Sequence, residues 1–258
     1  MRVNLSGEIV ADEWQWLYDW YGIPAFSPQL MRQALKDNPE GEALTVEINS
    51  GGGSVFAGFE IYSVLRAAKC HTVAEVQSIA ASAASTAMVG CASVQLSPVA
   101  QVMLHLPSAS TEGDAVQHER SLRALESIKQ SILNGYEVKS RGKAQRATLE
   151  QLMDQETWLD AQQAVELGLA DGILYAEDFS LVPANVRNAV GGGIRTMASA
   201  AGQHDPQAML ARYEQAVRDG AAPAAGHPVT SAPAGEAPAN DTEDWQRRAR
   251  LSLEKNRF

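Results

Sequence analysis

From Gln77 to Thr111 the chain carries no Asp, Glu, Lys or Arg. An uncharged stretch of that length could be taken for a membrane span or for the buried middle of a folded domain. Its content separates the two. It is rich in Ala and Ser rather than Leu and Ile, and Pro98 interrupts it, so it reads as a buried helix followed by buried strands. A chain of 258 residues, 45% of them hydrophobic, can build a core around such a segment as one sizeable domain with an appendage, or as two small domains.

The flanking sequence supplies the rest of an alternating pattern. Val3 to Val10 reads as a strand, and Ala43 to Asn49 and Cys70 to Val76 as two more. Between them, Ser27 can cap a helix running to about Lys36, with Pro28 at its first position and Leu30, Met31 and Leu35 facing inward. Ala57 to Ala67 shows helical spacing through Phe59, Tyr62 and Leu65. Strand, helix, strand, helix, strand, helix with short connections predicts an α/β domain with a mostly parallel sheet and flanking helices. Such sheets place their sites at the carboxyl ends of strands. Further on, the sequence predicts a long charged helix from about Glu112 to Ser140 with Leu122, Leu125, Ile128 and Ile132 in one apolar stripe, and a short helix over Thr148 to Met153. A helix over Ala161 to Leu167 stops at Gly168, and Leu169 to Leu174 closes the domain as a strand. Asp12 to Phe26 holds three tryptophans and two tyrosines, an apolar flap or short helix that either packs or touches substrate.

The character changes near Phe179. Residues 1–179 form the expected domain; residues 180–258 form an expected low-complexity tail. Within the tail, Gly191 to Gly193 is flexible by composition, and Gly220 to Asn240 is dominated by Ala and Pro and cannot offset its ordering entropy. Pro206 to Asp219 and Glu243 to Lys255 could form isolated amphipathic helices. A formal net charge of −10 without a basic run argues against nucleic acid as the main partner. Cys70 and Cys91 show no CxxC spacing and form no cysteine–histidine cluster of metal-ligand type, so no disulfide framework, zinc site or other metal site is expected, and a reducing cytoplasm fits. The N-terminus, with Glu8, Asp12 and Glu13 close behind it, does not read as a secretory signal. No nucleotide-binding loop is present, so ATP dependence would have to come from another chain, and no cofactor is implied.

Three segments carry chemistry. Ile48-Asn49-Ser50-Gly51-Gly52-Gly53 is a glycine-rich strand exit that can present backbone N–H groups at positive φ. Ile79 to Ser85 is a small-residue helix start in which Ser82 follows a strand; amides there would face a developing oxyanion. His105 lies in the apolar run Val102 to Pro107, and an imidazole suits general-base work at neutral pH. Each segment alone also fits plain packing or a plain turn. Ser85 competes with Ser82 for the nucleophile. Asp154 and Glu156, ahead of Trp158-Leu159-Asp160-Ala161, compete to orient the imidazole.

In their joint order these segments resemble the Clp-type serine peptidase family, which has an Asn-Ser-Pro-Gly-Gly segment, a nucleophile turn, a histidine strand, and a closing segment similar to Glu156–Ala161 with Ala164–Asp171. The likeness spans roughly residues 3 to 178 and implies a crotonase-like fold. Ala80-Ala81-Ser82-Ala83-Ala84-Ser85 and Glu156-Thr157-Trp158 look most like the head-maturation (prohead) proteases of tailed phages and prophages. The resemblance implies Ser82 as nucleophile, His105 as base, Glu156 as the triad acid, and Gly52 and Ala83 as oxyanion donors. It also implies ring-shaped homo-oligomers mated through the Glu112–Ser140 helix, and ATP-independent cleavage of scaffold or capsid proteins inside an assembling procapsid in the host cytoplasm, with no membrane partner. By its composition alone, rather than by the resemblance, the tail would be a scaffold-like segment or a self-cleaved linker. Gly51 stands where the family has proline, Glu156 where it has aspartate, and the Ser82–His105 interval is slightly short. Two other readings stay open at this point: a Ser–Lys peptidase of the signal-peptide-peptidase kind using Lys129, Lys139 or Lys143, and a non-catalytic assembly module of the same fold.

Overall fold

The computed structural model describes residues 1–175 and 204–218. Strand β1 (Arg2–Ile9) leads through a 3₁₀ turn at Asp12–Trp14 into helix α1 (Gln15–Tyr21) and a two-residue strand, β2 (Ala25–Phe26). Then follow α2 (Pro28–Asp37), β3 (Leu44–Gly53), α3 (Val55–Arg66), β4 (Thr72–Ala81), α4 (Ala83–Met88), β5 (Ser93–Leu96) and β6 (Gln101–Leu104). The long helix α5 (Ala115–Ser140) and helix α6 (Arg146–Asp154) precede β7 (Thr157–Asp160), α7 (Ala161–Glu166) and β8 (Gly172–Ile173), and α8 (Pro206–Arg218) is the last described element. The sheet runs β2-β1-β3-β4-β5-β8, every pair parallel. A parallel sheet covered by helices is buried on both faces, and Leu5, Ile9, Val46, Ile48, Val76 and Leu96 accordingly lie in its core.

Strand β4 organises the site. Its first half, Val73 to Val76, pairs with β5; beyond Gln77 and Ser78 it pairs instead with β6, Ala81 lying opposite Met103. Strand β6 in turn pairs antiparallel with β7. A small second arm thus rises from the main sheet, built from the uncharged stretch together with β7. Its alanines do not start a helix where the sequence suggested: Ile79 to Ala81 stay extended, and α4 begins only at Ala83. The expected strand over Ala43 to Asn49 likewise runs on through the glycines to Gly53, because Glu8 and Ile9 of β1 pair with Gly52 and Gly53. Small residues also let α3 meet α4 closely: a Cβ on Gly58 would stand 3.0 Å from the Ala83 Cβ.

Other expectations shift locally. Leu30 points outward, 40% exposed, while Met31 and Ala34 fill the inner face of α2 and Leu35 is half-buried. Helix α5 starts at Ala115 rather than Glu112, set by a capping box: Asp114 accepts from the Gln117 amide and the Gln117 side chain accepts from the Asp114 amide. Only the second half of its predicted stripe is packed, since Ile132 is buried but Leu122 is 66% exposed. No described helix is long and apolar enough to cross a membrane.

Helix α8 is not isolated. Met209, Leu210 and Tyr213 are buried against Val10, Leu17 and Tyr18, with the tryptophans of the 12–25 segment around them. Tyr213 meets Trp16 and Trp20 edge-on, with ring centroids 5.4 and 4.9 Å apart. Tyr21 donates to the Met209 carbonyl at 3.0 Å. The aromatic segment is therefore a packing platform for a helix far away in sequence. The glycine run at 191–193, the Ala/Pro stretch 220–240 and the helix expected over 243–255 lie outside the described residues.

One ion pair ties α5 to the end of the domain. Lys139, 3% exposed, donates to Asp171 Oδ2 at 2.7 Å and to the Ala92 carbonyl at 3.3 Å. Burial alone would raise the Asp171 carboxyl, but Lys139 and the Val94 amide hold it below its usual range. Removing one partner strands a buried charge, so Asp171→Ala is expected to destabilise the protein by about 3 kcal/mol in urea unfolding. Wild-type stability drawn from this pair is present above the ordinary carboxylate pKa and is lost as pH falls through the depressed value. The variant should lack that part of the acid dependence; an unchanged urea midpoint would show the pair to contribute nothing.

Candidate active site

Ser82 and His105 stand at the carboxyl ends of neighbouring parallel strands. Ser82 follows β4 directly and His105 follows β6, and the Ser82 amide donates to the Met103 carbonyl at 3.0 Å, continuing the ladder one residue past the strand. At Ser82 the chain reverses sharply, with φ 55° and ψ −124°, and enters α4. A non-glycine residue in that region is strained, and such strain persists only where the surroundings hold it. The consequence is an outward-facing hydroxyl: His105 Nε2 lies 2.7 Å from Ser82 Oγ. Burial pushes the His105 imidazole below its ordinary value, and the negative charge of Glu156 offsets part of that. A neutral ring with an acceptor nitrogen on a serine hydroxyl is the form that can take a proton.

The antiparallel register places Glu156. Leu104 pairs with Thr157, so the next residues outward on each strand, His105 and Glu156, adjoin across the arm. Glu156 is exposed, has φ 49° and acts on the imidazole by charge, without a direct hydrogen bond to it among the described residues. Asp154, the competing acid, is exposed at the end of α6 and lies 3.7 Å from Lys129 Nζ; no described contact brings it to His105. Ser85, the competing nucleophile, is fully buried, its hydroxyl within 2.7 Å of the Tyr136 hydroxyl and 2.6 Å of the Ser82 carbonyl. The three lysines of the Ser–Lys reading are engaged elsewhere. Lys139 binds Asp171, Lys129 binds Glu150 at 2.6 Å, and Lys143 reaches the Val165 carbonyl.

The glycine segment arrives as expected, with one difference. Gly52 (φ +100°) packs its backbone against Ser82 and the Ala83 nitrogen, leaving no room for a side chain. Its own amide, however, donates to Ser50 Oγ at 3.1 Å, and Ser50 donates in turn to the Gly7 carbonyl at 2.6 Å. The Ala83 amide, first in α4, has no partner within the helix. Of the two oxyanion donors that the resemblance implies, one is thus unengaged by the helix and the other is held inward by Ser50. Gly51 does not need the left-handed region that Gly52 and Gly53 occupy.

A cleft of about 650 Å³ opens over Ser82 and His105, walled by Ile9, Trp14, Val55, Phe56 and Ile128. His204 and Pro206 line it too, brought there by the packing of α8. Nothing in the sequence pointed to those two; they reach the cleft only because the aromatic segment holds a helix more than 180 residues away. Trp14 and Tyr18 line the cleft as well, so the aromatic segment both packs and borders the site. Among the described residues, no cluster of His, Cys, Asp or Glu could hold a metal ion.

A serine hydroxyl on a histidine ring, at the strand ends of a helix-flanked parallel sheet, defines a serine peptidase of α/β architecture. The Clp protease family model matches residues 26–177. Among similar proteins, an ATP-dependent Clp protease proteolytic subunit 1 from Chlamydia muridarum is 31% identical over 140 residues, covering 53% of this chain and 72% of its own. The subunit 1 from Chlamydia trachomatis serovar D is 32% identical over 143 residues, 54% of this chain and 73% of its own. A proteolytic subunit from Bacteroides fragilis (strain ATCC 25285) is 29% identical over 136 residues, 52% and 65% respectively. The chain belongs to the Clp protease family.

Proposed function

We propose that this chain is a serine endopeptidase in which Ser82 is the nucleophile, His105 the general base and Glu156 the acid of the triad. The observation that carries the reading is the 2.7 Å contact between Ser82 Oγ and His105 Nε2. In the reaction, Nε2 takes the hydroxyl proton as Oγ attacks a peptide carbonyl. The Ala83 amide receives the oxyanion, and Gly52 joins it by releasing Ser50. His105 then gives the proton to the leaving amine, and water repeats the cycle on the acyl-enzyme. Glu156 stabilises the imidazolium through its charge. No step uses a nucleotide, so the chemistry itself is ATP-independent.

The substrates we propose are scaffold or capsid proteins within an assembling phage procapsid in the host cytoplasm. The support is the Ala80–Ser85 and Glu156–Trp158 likeness to head-maturation proteases; the similar proteins named above are proteolytic subunits. Ring-shaped homo-oligomers mated through α5 are proposed as well, supported by Leu122 and Val116, apolar and exposed on its first half. Fluorophosphonate labelling tests the site: one adduct per chain on Ser82 is expected, with none in Ser82→Ala. An adduct on another serine, or none, overturns it. The substrate claim is tested with procapsids containing scaffold protein; processing by wild type and not by Ser82→Ala is the expected result.

A further inference from the structure

Behind Ser82 lies a buried hydroxyl relay that the triad does not use. Ser85 Oγ stands 2.6 Å from the Ser82 carbonyl, 3.2 Å from the Met103 carbonyl and 2.7 Å from Tyr136 Oη. A serine hydroxyl has one proton to donate. Both carbonyls only accept, so the single Ser85 proton is shared between them as a three-centre bond, tighter to Ser82 than to Met103, and the phenol of Tyr136 then donates to Ser85. Tyr136 suits that part: it is 2% exposed on α5, and burial raises its pKa, keeping it a donor. The two carbonyls belong to the site: one is Ser82's own, the other lies two residues before His105 and already accepts from the Ser82 amide.

We propose that Ser85, oriented by Tyr136, is a positioning residue that ties the nucleophile turn to the histidine strand. This rests on the reading of Ser82 and His105 as nucleophile and base. The Ser82 carbonyl accepts from the amides of Ser85 and Thr86 at 3.0 and 3.3 Å as well as from the Ser85 hydroxyl. Those amide bonds are common to any helix start; the hydroxyl bridge is the addition that reaches across to β6. It holds a strained residue in the conformation that aims Oγ at the imidazole. An alanine at position 85 would keep α4 but let the turn relax, and small displacements of a nucleophile cost rate steeply.

The test is the rate and extent of fluorophosphonate labelling in Ser85→Ala, Tyr136→Phe and the double variant, with thermal melts alongside. Ser85→Ala should label Ser82 roughly 10–100-fold more slowly while still reaching one adduct per chain, with KM for a peptide substrate unchanged and kcat reduced. Tyr136→Phe, which removes only the orienting donor, should slow labelling by roughly 3–10-fold and serves alone if Ser85→Ala does not fold. Ser85→Ala leaves the Tyr136 hydroxyl with Thr86 Oγ1 at 3.5 Å as its remaining neighbour, so it should lose stability that the double variant regains. The rate should stay low in the double variant. Labelling at the wild-type rate in the single variants, a rate that recovers with stability in the double, or fewer adducts at an unchanged rate would each overturn the proposal. Failure of the wild-type protein to label at Ser82 would be a different result, overturning the nucleophile assignment and this inference with it.

Discussion

Replacing His105 by alanine is expected to lower kcat/KM for a peptide substrate by about four to six orders of magnitude, with the fold intact by circular dichroism. The ring is the sole described side-chain partner of the Ser82 hydroxyl, and a serine without its base is a poor nucleophile. The wild-type pH profile gives the same claim a sign. The neutral imidazole is the active form, so kcat/KM rises with pH through the pKa of His105 in the free enzyme. Burial lowers that pKa from its ordinary 6.5, which puts the acid limb below that value. Glu156 works in the opposite direction, raising it. Glu156→Gln should therefore move the acid limb to still lower pH, with a loss in kcat of roughly tenfold, modest because the carboxylate acts by charge at an exposed position. An acid limb that stays in place in Glu156→Gln, or moves up, would remove Glu156 from the triad.

How much of this site could be read from the chain depends on the range of each contact. The glycine segment, the turn at Ser82 and the histidine strand were legible because each is a local pattern: residues within a few positions fix a turn, a cap or an alternation. The Ile79–Ala81 boundary was misplaced for a physical reason. Alanine favours helix, but pairing with β6 overrode that preference and kept β4 extended to Ala81. The choice between Ser82 and Ser85 could not be made locally at all. Both sit among alanines, and the partners that show Ser85 facing inward, the Met103 carbonyl and Tyr136 fifty-one residues on, lie outside the turn. Asp154 and Glu156 were separated by strand register, Leu104 opposite Thr157, and by a lysine on α5 that binds Asp154. Helix α8 illustrates the limit. Its amphipathic pattern was visible, its partner was not, because the platform of Trp16, Trp20 and Tyr21 lies at the other end of the chain.

Gly52→Ala is expected to damage both stability and rate, and a second glycine separates the causes. At Gly52 an added Cβ would lie 2.7 Å from the Ala81 carbonyl oxygen and 2.7 Å from the Ser82 Cβ, at φ +100°. The conformational cost for a non-glycine residue there is about 1–2 kcal/mol, and the overlap adds about 1–3 kcal/mol. Neither obstacle is a flexible side chain that could swing away. One is the backbone of β4; the other is the nucleophile itself, so relief has to come from moving Ser82. The rate should then fall about a hundredfold or more, since a displacement of about 1 Å at the reacting group is enough for that. Gly41 shares the left-handed conformation, φ +82°, but has nothing within 4 Å of an added Cβ. Gly41→Ala should accordingly lose only about 1–2 kcal/mol and label with fluorophosphonate at the wild-type rate. Equal losses of stability in the two variants, with equal labelling rates, would mean that the backbone of Gly52 does not press on the nucleophile turn and that its contact with Ser82 has no part in holding the hydroxyl on His105.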